Sequence, residues 1–404
     1  MYEIEAEQEL RIECDSESKV KVVLKKGAAE IFGSEIARDV PYEFQDWAFA
    51  VFSWRGCSVE LSGSYHAYVA SETPMTSYIN AHGVLQRLRQ EEPQGPRVLI
   101  VGPTDTGKST IQTILSSYCA REGGELIICD VDPGQGSIGI PGTLSAAPVA
   151  RPHNHTDGND LLAPFTLFYG STTPSTNKQL YISLVKSLAE AVDARMAVND
   201  AARKGGCIVN TCGWVDGEGY SLLQEVCVAM RADIVLVMDS DRLHADLKKD
   251  FGDKAKVVKL PKSGGVVTRE GKTRRRARDA RIKRYFYGPR GDLCPQQRVV
   301  HFSEITILQV GGGQAAPASA LPIGAVSTHD PLRLHHVSAG SHLVHSILAV
   351  SHAVHEKDVV STNVAGFVVV TGVRLDEGVL VLLVPCAGPL PGRYLLQGSL
   401  KYLE

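Results

Sequence analysis

The sequence predicts an α/β protein: a central P-loop NTPase-type parallel sheet with helices on both faces, flanked by a β-rich N-terminal domain and a β-rich C-terminal domain. Three observations carry this. Apolar strands alternate with helix-like segments through the middle of the chain. A glycine-rich string, VGPTDTGKST, sits where one of those strands gives way to a helix. Short β-branched and aromatic runs, cut by glycine-containing turns, fill both ends. At 404 residues the chain exceeds what one core holds, and it divides into residues 1–90, 91–300 and 301–404.

Taken in order, KVKVVLKKG, WAFAVFSWRGCSVELSG and SYHAYVA read as strands. From Met75 the period changes: Ile79, His82, Leu85 and Leu88 lie about one helical turn apart, so a helix follows. EEPQGP ends it. RVLIVG, LIICD, CIVNT, IVLVMD and KVVKL are then near-continuous apolar strands with helical segments such as YSLLQEVCVAMRA between them, the pattern of a parallel sheet covered on both faces. RPHNHTDGNDLLAP (151–164) reads as a surface excursion and QVGGGQAAPASALP (309–322) as a mobile loop. FSEITILQVGGG, VAGFVVVTGV and GVLVLLVPCAG return to β.

The string at 101–110 matches G-x-x-x-x-G-K-[ST] through Gly102, Gly107, Lys108 and Ser109, between a strand and a helix. Glycines let the backbone wrap a phosphate so that successive N–H groups and the helix N-terminus point at it. Lys108 is placed to reach the β- and γ-phosphates and Ser109 to hold Mg²⁺. A turn that merely joined strand to helix would not require Lys-Ser after its last glycine. Asp105, Thr106 and Thr110 complete the nucleotide-binding candidates.

Asp130 and Asp132 follow at the end of the strand LIICD, two apart, so they point in different directions. One carboxylate at the C-terminal edge of the sheet would face the phosphates, to order Mg²⁺ or accept a proton. A guanine-reading N-K-x-D is missing, the nearest string being NKQL at 177–180, which disfavours a GTPase.

Bulk properties bound the rest. A formal charge of −3 confines any contact with an anionic polymer to a local patch. Nine scattered cysteines without a C-x-x-C pair fit free thiols in a reducing compartment rather than disulfides or zinc. The acidic N-terminal stretch has no apolar signal core, and no apolar run approaches the roughly 20 residues that span a bilayer. An intracellular protein with no membrane contact is expected.

Longer strings carry a resemblance. VGPTDTGKST, DVDPGQGSIGIPGT, YGSTTPSTNKQLY, NTCGWVDGEGY, LPKSGGVV and RIKRYFYG resemble, in order, the polyribonucleotide 5′-hydroxyl kinase family, whose members include the ATP-binding subunit of the pre-mRNA 3′-end cleavage factor. ELRIE, AEIFGSEI, VFSWRGCSVELSG and ETPM look like its N-terminal domain and VAGFVVVTGV like its C-terminal one, so nearly the whole chain is covered.

The resemblance implies ATP- and Mg²⁺-dependent transfer of the γ-phosphoryl to the 5′-OH of an RNA end. It matches Lys108 and Ser109 to the phosphate- and Mg²⁺-binding residues, and Asp132 to the carboxylate that activates the 5′-OH, with a place at the metal. Gln135 lies beside it on the RNA side. Thr211 and Trp214 match a T-x-G-W clasp whose indole stacks on RNA, a grip that ignores base identity; the alternative for Trp214 is core filling. Glu9 matches a glutamate that contacts the nucleotide. Ala48 departs from the pattern, standing where many relatives carry a basic residue.

Eight of the thirteen residues from Lys272 to Arg284 are basic. The family places a lid over the phosphates in this region, and Arg269 and Arg274 match its charge-neutralising arginines. Arg274, Arg278 and Arg281 share one helix face by spacing; the middle of the run is a candidate for the RNA backbone and its downstream end for scaffold. Partners implied are RNA with a 5′-hydroxyl end, cleavage factor subunits and the tRNA-splicing endonuclease, in a nuclear setting. The alternative function is a catalytically inactive, ATP-bound scaffold of the 3′-end cleavage machinery; a small-nucleotide kinase would leave two β domains unexplained. The C-terminal histidines (His335, His336, His342, His345, His352, His355) lack a cysteine or carboxylate framework for a metal and read as a surface face.

Overall fold

The computed structural model describes residues 1–15, 19–155, 158, 161, 163–311 and 330–403. The alternation KVKVVL puts Val20, Val22 and Leu24 on one side of the strand Lys19–Gly27, and ELRI does the same for Leu10 and Ile12 in Gln8–Cys14. These belong to two antiparallel sheets, of four and five strands, whose inward residues close a single N-terminal core.

Helix α1 (Met75–Glu91) buries Met75, Tyr78, His82, Leu85 and Arg89 at helical spacing. The central sheet follows, ordered Phe165–Phe168, Thr143–Val149, Leu126–Asp130, Cys207–Asn210, Arg97–Val101, Ile234–Met238, Lys256–Leu260. The last five are parallel. Its helices are α2 (Lys108–Arg121), α3 (Lys178–Val198), α4 (Asp200–Gly205), α5 (Glu218–Ala229) and α6 (Asp241–Phe251). Successive residues of Arg97–Val101 feed opposite layers: Leu99 and Val101 pack toward α3, α5 and α6, while Val98 and Ile100 pack toward α1 and α2. That double coverage is why the strand reads as unbroken apolar sequence.

The two strands at one edge, Thr143–Val149 and Phe165–Phe168, were not expected and run antiparallel. TLSAAPV lacks the β-branched density of its neighbours, and its burial comes from tertiary context. The excursion at 151–164 also differs from expectation: His155 is buried beside Tyr42, and His153 lies edge-on to Phe32, so its described part docks on the N-terminal domain. Of the 309–322 segment, residues 312–322 lie outside the described set.

Helix α7 (Gly271–Tyr287) carries the basic run, and only Ile282 and Phe286 of it are buried. These two enter a core with Ile140 and Phe168 of the central domain and Leu308, Phe367, Leu396 and Tyr402 of the C-terminal one. The C-terminal seven-stranded sheet already begins with Gln296–His301, upstream of residue 301. Among the described residues no helix is long and apolar enough to cross a membrane, no disulfide forms, and no group of three or more His, Cys, Asp or Glu is placed to hold a metal.

Candidate active site

The strand Arg97–Val101 ends in the loop Gly102–Gly107, and α2 starts on Lys108. Gly107 takes a left-handed φ of 85°, open to glycine without a Cβ penalty, which turns the chain into the helix with its first amides facing the loop. Asp105 at the apex is also left-handed, at φ 57°. Thr106 Oγ1 donates to Pro103 O at 2.9 Å and stiffens the turn. Lys108 is buried, its Nζ donating to the carbonyls of Gly102 (2.8 Å) and Pro103 (2.7 Å). Burial draws its pKa down against the pull of Asp132, so a cationic Lys108 is costly without an anion beside it.

The two aspartates divide sharply. Asp130 Oδ1 accepts from the Asp132 amide (3.1 Å) and Asn210 Nδ2 (3.1 Å); its Oδ2 accepts from the Ser137 amide (2.7 Å) and hydroxyl. It pins the turn. Asp132 takes only one hydrogen bond, from the Gly134 amide at 2.9 Å, and faces the cleft. Burial, reinforced by the charge of Asp130, pushes its carboxyl up to about 6. An acceptor with a free lone pair and a pKa near neutrality is what general-base work requires. Asn210 Nδ2 also donates to Ser109 Oγ at 3.3 Å, tying the hydroxyl at the start of α2 to the aspartate turn. A cation with oxygen ligands fits this donor set: Ser109 is exposed to the cleft, Asp132 is nearly unsatisfied, and Asn210 Oδ1 is buried without a partner.

From the other side, α7 lowers its upstream end onto the P-loop. Asp105 Oδ2 accepts from the Arg269 amide (2.9 Å) and from Arg274 Nη2 (2.7 Å). Burial opposes charge on Asp105, but these two donors outweigh it and hold the carboxyl below its usual range. Arg278, one turn along, is near enough to Asp132 to favour its charged form, and Arg281 Nη1 donates to Ser137 O at 3.2 Å. Neither stood among the predicted site residues, though their shared face with Arg274 was legible from the spacing. Asn210 and Ser137 lie within the strings NTCGWVDGEGY and DVDPGQGSIGIPGT, but neither was assigned a role from the sequence.

The N-terminal domain closes the third wall. Glu9 is buried and accepts from Arg11 Nε (2.6 Å), Thr73 Oγ1 (2.8 Å) and Ser263 Oγ (3.3 Å), so it ties this domain to the segment before the lid. Ala48 and Ala50 line the same cleft, which measures about 1620 Å³ and also reaches Gly366 and Phe367 of the C-terminal domain.

Lys108, Ser109, Thr110, Asp105, Thr106, Gly107, Asp132, Gln135, Arg269 and Glu9 therefore meet in one cleft. Thr211 and Trp214 do not line it. Thr211 is buried, with Oγ1 donating to Ile100 O at 2.8 Å, and so anchors the clasp to the P-loop strand. Trp214 is half-buried against the core behind the sheet. Gly213 is the clasp residue that lines the cleft; a Cβ there would stand 2.4 Å from Thr104 Oγ1, so only glycine allows the clasp to touch the P-loop.

A phosphate loop, a proton-accepting carboxylate and arginines arriving from a lid define a P-loop nucleotide-binding protein of the phosphotransferase type. Comparison with known proteins gives the family. Three models match in succession: the N-terminal beta-sandwich domain of polyadenylation factor (residues 3–92), the mRNA cleavage and polyadenylation factor CLP1 P-loop (102–288) and the pre-mRNA cleavage complex II protein Clp1 (293–404). The chain is 43% identical to the polyribonucleotide 5′-hydroxyl-kinase Clp1 of Gallus gallus and to that of Homo sapiens, over 100% of its own length and 96% of theirs. A CLP1 homolog from Dictyostelium discoideum is 40% identical over 99% of this chain and 89% of that one. Two solved structures superpose along the whole chain at 26% identity: a wild-type Clp1p–Pcf11p complex (TM-score 0.86, 98% of that chain) and one described as an extended Pcf11p–Clp1p interface with the basis for ATP loss in a Gly135Arg mutant (0.87, 98%). This chain belongs to the Clp1 family.

Proposed function

We propose that the chain is a polynucleotide 5′-hydroxyl kinase that moves the γ-phosphoryl of ATP onto the 5′-OH of RNA. The observation that carries this is Asp132, a carboxyl held near a pKa of 6 in the same cleft as Lys108, with one oxygen free. The 5′-oxygen attacks the γ-phosphorus, the bond to the β,γ-bridging oxygen breaks, and the hydroxyl proton passes to Asp132. Lys108 exchanges the loop carbonyls for phosphate oxygens. Arg269 and Arg274 neutralise charge on the transferring group. Ser109 and Asp132 would hold Mg²⁺, which would supply charge neutralisation on the β- and γ-phosphates. Gly102, Asp105, Thr106, Gly107 and Thr110 shape the phosphate cradle, and Glu9 sets the N-terminal wall against the nucleotide. Gln135 lies on the RNA side; of the T-x-G-W clasp, Gly213 lines the cleft and Thr211 anchors the segment to the P-loop strand.

Incubating the protein with 5′-hydroxyl RNA and γ-labelled ATP tests the reading: labelled RNA is expected, and a yield no higher than that of Lys108→Ala would sink it. One observation favours a second role: the solved relatives are complexes of Clp1p with Pcf11p. A subunit of pre-mRNA 3′-end cleavage, bound to other cleavage factor subunits in the nucleus, is compatible with the kinase cleft, and so is association with the tRNA-splicing endonuclease. Retention of intact ATP through purification with no transfer would favour an inactive scaffold.

A further inference from the structure

Asn210 ends the strand Cys207–Asn210, next to the P-loop strand and beside the aspartate turn. It is 1% exposed, yet it contributes to the lining of the cleft. The orientation of its amide follows from its neighbours. The Asp130 carboxylate can only accept, so Asn210 presents Nδ2 to it, at 3.1 Å, and the same nitrogen reaches Ser109 Oγ at 3.3 Å. Oδ1 is thereby turned away from both, and it is a buried acceptor with no hydrogen-bond partner. Buried amide oxygens almost always find a donor, and an orphan of this kind asks for an explanation in terms of an ion, a water or a ligand.

The surroundings say which. Ser109, whose hydroxyl accepts from Asn210, keeps a further lone pair and stands exposed in the cleft at the first turn of α2. Asp130 has its near positions filled by Asp132, Ser137 and Asn210, and so is fixed in place behind the site. The other half of the site is a carboxylate, Asp132, with only one hydrogen bond. Small divalent cations at phosphate sites take few protein ligands and keep several waters, whose O–H groups need acceptors. A neutral acceptor buried among two carboxylates and a serine hydroxyl matches a metal-bound water and does not match a phosphate oxygen, which would bring no proton.

We propose that Asn210 is a positioning residue for the divalent cation. Its Nδ2 fixes the Ser109 hydroxyl and the Asp130 carboxylate relative to each other, and its Oδ1 accepts a hydrogen bond from a water of the cation's hydration shell. The inference rests on the nucleotide–metal site of the kinase reading, but not on transfer to RNA.

The experiment measures Mn²⁺ binding by electron paramagnetic resonance on the full chain saturated with a non-hydrolysable ATP analogue. Analogue binding in EDTA is measured in parallel. Asn210→Ala is expected to weaken Mn²⁺ about tenfold or more, the usual consequence of losing an outer-shell partner, while the EDTA affinity stays within twofold. Combined with Ser109→Ala, the two losses should add to less than their product, since both act on one ion. Mn²⁺ affinity unchanged within twofold overturns the proposal. So does an equal loss in EDTA from a variant whose melting curve is intact, because Asn210 would then be shaping the phosphate loop. Should Asn210→Ala not fold, Asn210→Ser, which keeps a short donor toward Asp130 but removes the amide oxygen that reaches toward the cation's water, is read by the same criteria. Normal Mn²⁺ binding in the wild type with no phosphate on RNA would count against the kinase and leave this assignment standing.

Discussion

At the residue scale the two aspartates show how context separates identical side chains. Asp130 gathers four donors and becomes part of the scaffold; Asp132 keeps one and becomes chemistry. With its carboxyl raised by burial, kcat/KM for RNA phosphorylation should fall about tenfold per pH unit along an acid limb, as the base is lost. The same shift has a stability consequence. Asp132 binds its proton more tightly folded than unfolded, so the native state loses stability as pH rises from about 4 to 6 and carries that cost at neutral pH. Asp132→Asn, which retains an acceptor for the Gly134 amide, should therefore raise the melting midpoint at pH 7 by an amount worth ~1 kcal/mol while abolishing transfer. A flat pH profile, or a destabilised Asp132→Asn, would contradict this. Arg274 is held at the P-loop by its ion pair with Asp105. Arg274→Ala should cost on the order of 10²-fold in kcat with little change in ATP affinity, as expected for a group used mainly in the transition state; equal losses in both would mark it as a ground-state binder.

At the element scale, legibility followed burial pattern. Four of the five parallel strands were readable because sheets covered on both faces demand unbroken apolar runs, while Lys256–Leu260 at the sheet edge is partly exposed and carries two lysines. The two antiparallel edge strands were not, since Ser145, Thr166 and the alanines of TLSAAPV are buried by neighbours instead of by their own hydrophobicity. The P-loop was legible from local motif, and the choice of Asp132 over Asp130 came from the family resemblance, whereas the bridging of Asp130 and Ser109 by Asn210 arises only when separate strands meet. The surroundings of Trp214 were not legible: Gly219 packs so closely on the indole that a Cβ would lie 2.5 Å from its Cγ. In α7, where only Ile282 and Phe286 are buried, Phe286 is fully so. Phe286→Ala should destabilise the protein by about 3–5 kcal/mol in urea unfolding, and a cost below ~1 kcal/mol would mean the helix end does not need its anchor.

At the scale of the whole molecule, three domains share one cleft, so their contacts matter to chemistry. Arg121 at the end of α2 donates to Glu30 Oε2 (2.8 Å) and to the Gly33 carbonyl (3.2 Å) of the N-terminal domain, and pairs with Glu35. Glu30 is buried and also accepts from Tyr118. Removing Arg121 strands that carboxylate, so Arg121→Ala should cost about 2 kcal/mol and open the N-terminal domain to limited proteolysis. Adding Glu30→Gln should restore most of the loss; an additive double variant would refute the coupling.

Helix α7 joins two of these domains rigidly: Arg274 meets the P-loop near one end and Ile282 and Phe286 are embedded in the C-terminal core near the other. Such a rod works as a gauge of angular phase. One inserted residue advances everything downstream by about 100° and 1.5 Å, so the arginines and the apolar pair cannot both find their places. A single alanine inserted after Ala277 should therefore abolish either folding or transfer. The same insertion at Gly291, where the chain is exposed and a side chain would meet nothing, should be silent. The segment's arithmetic, more than its charge, is what the sequence cannot afford to change.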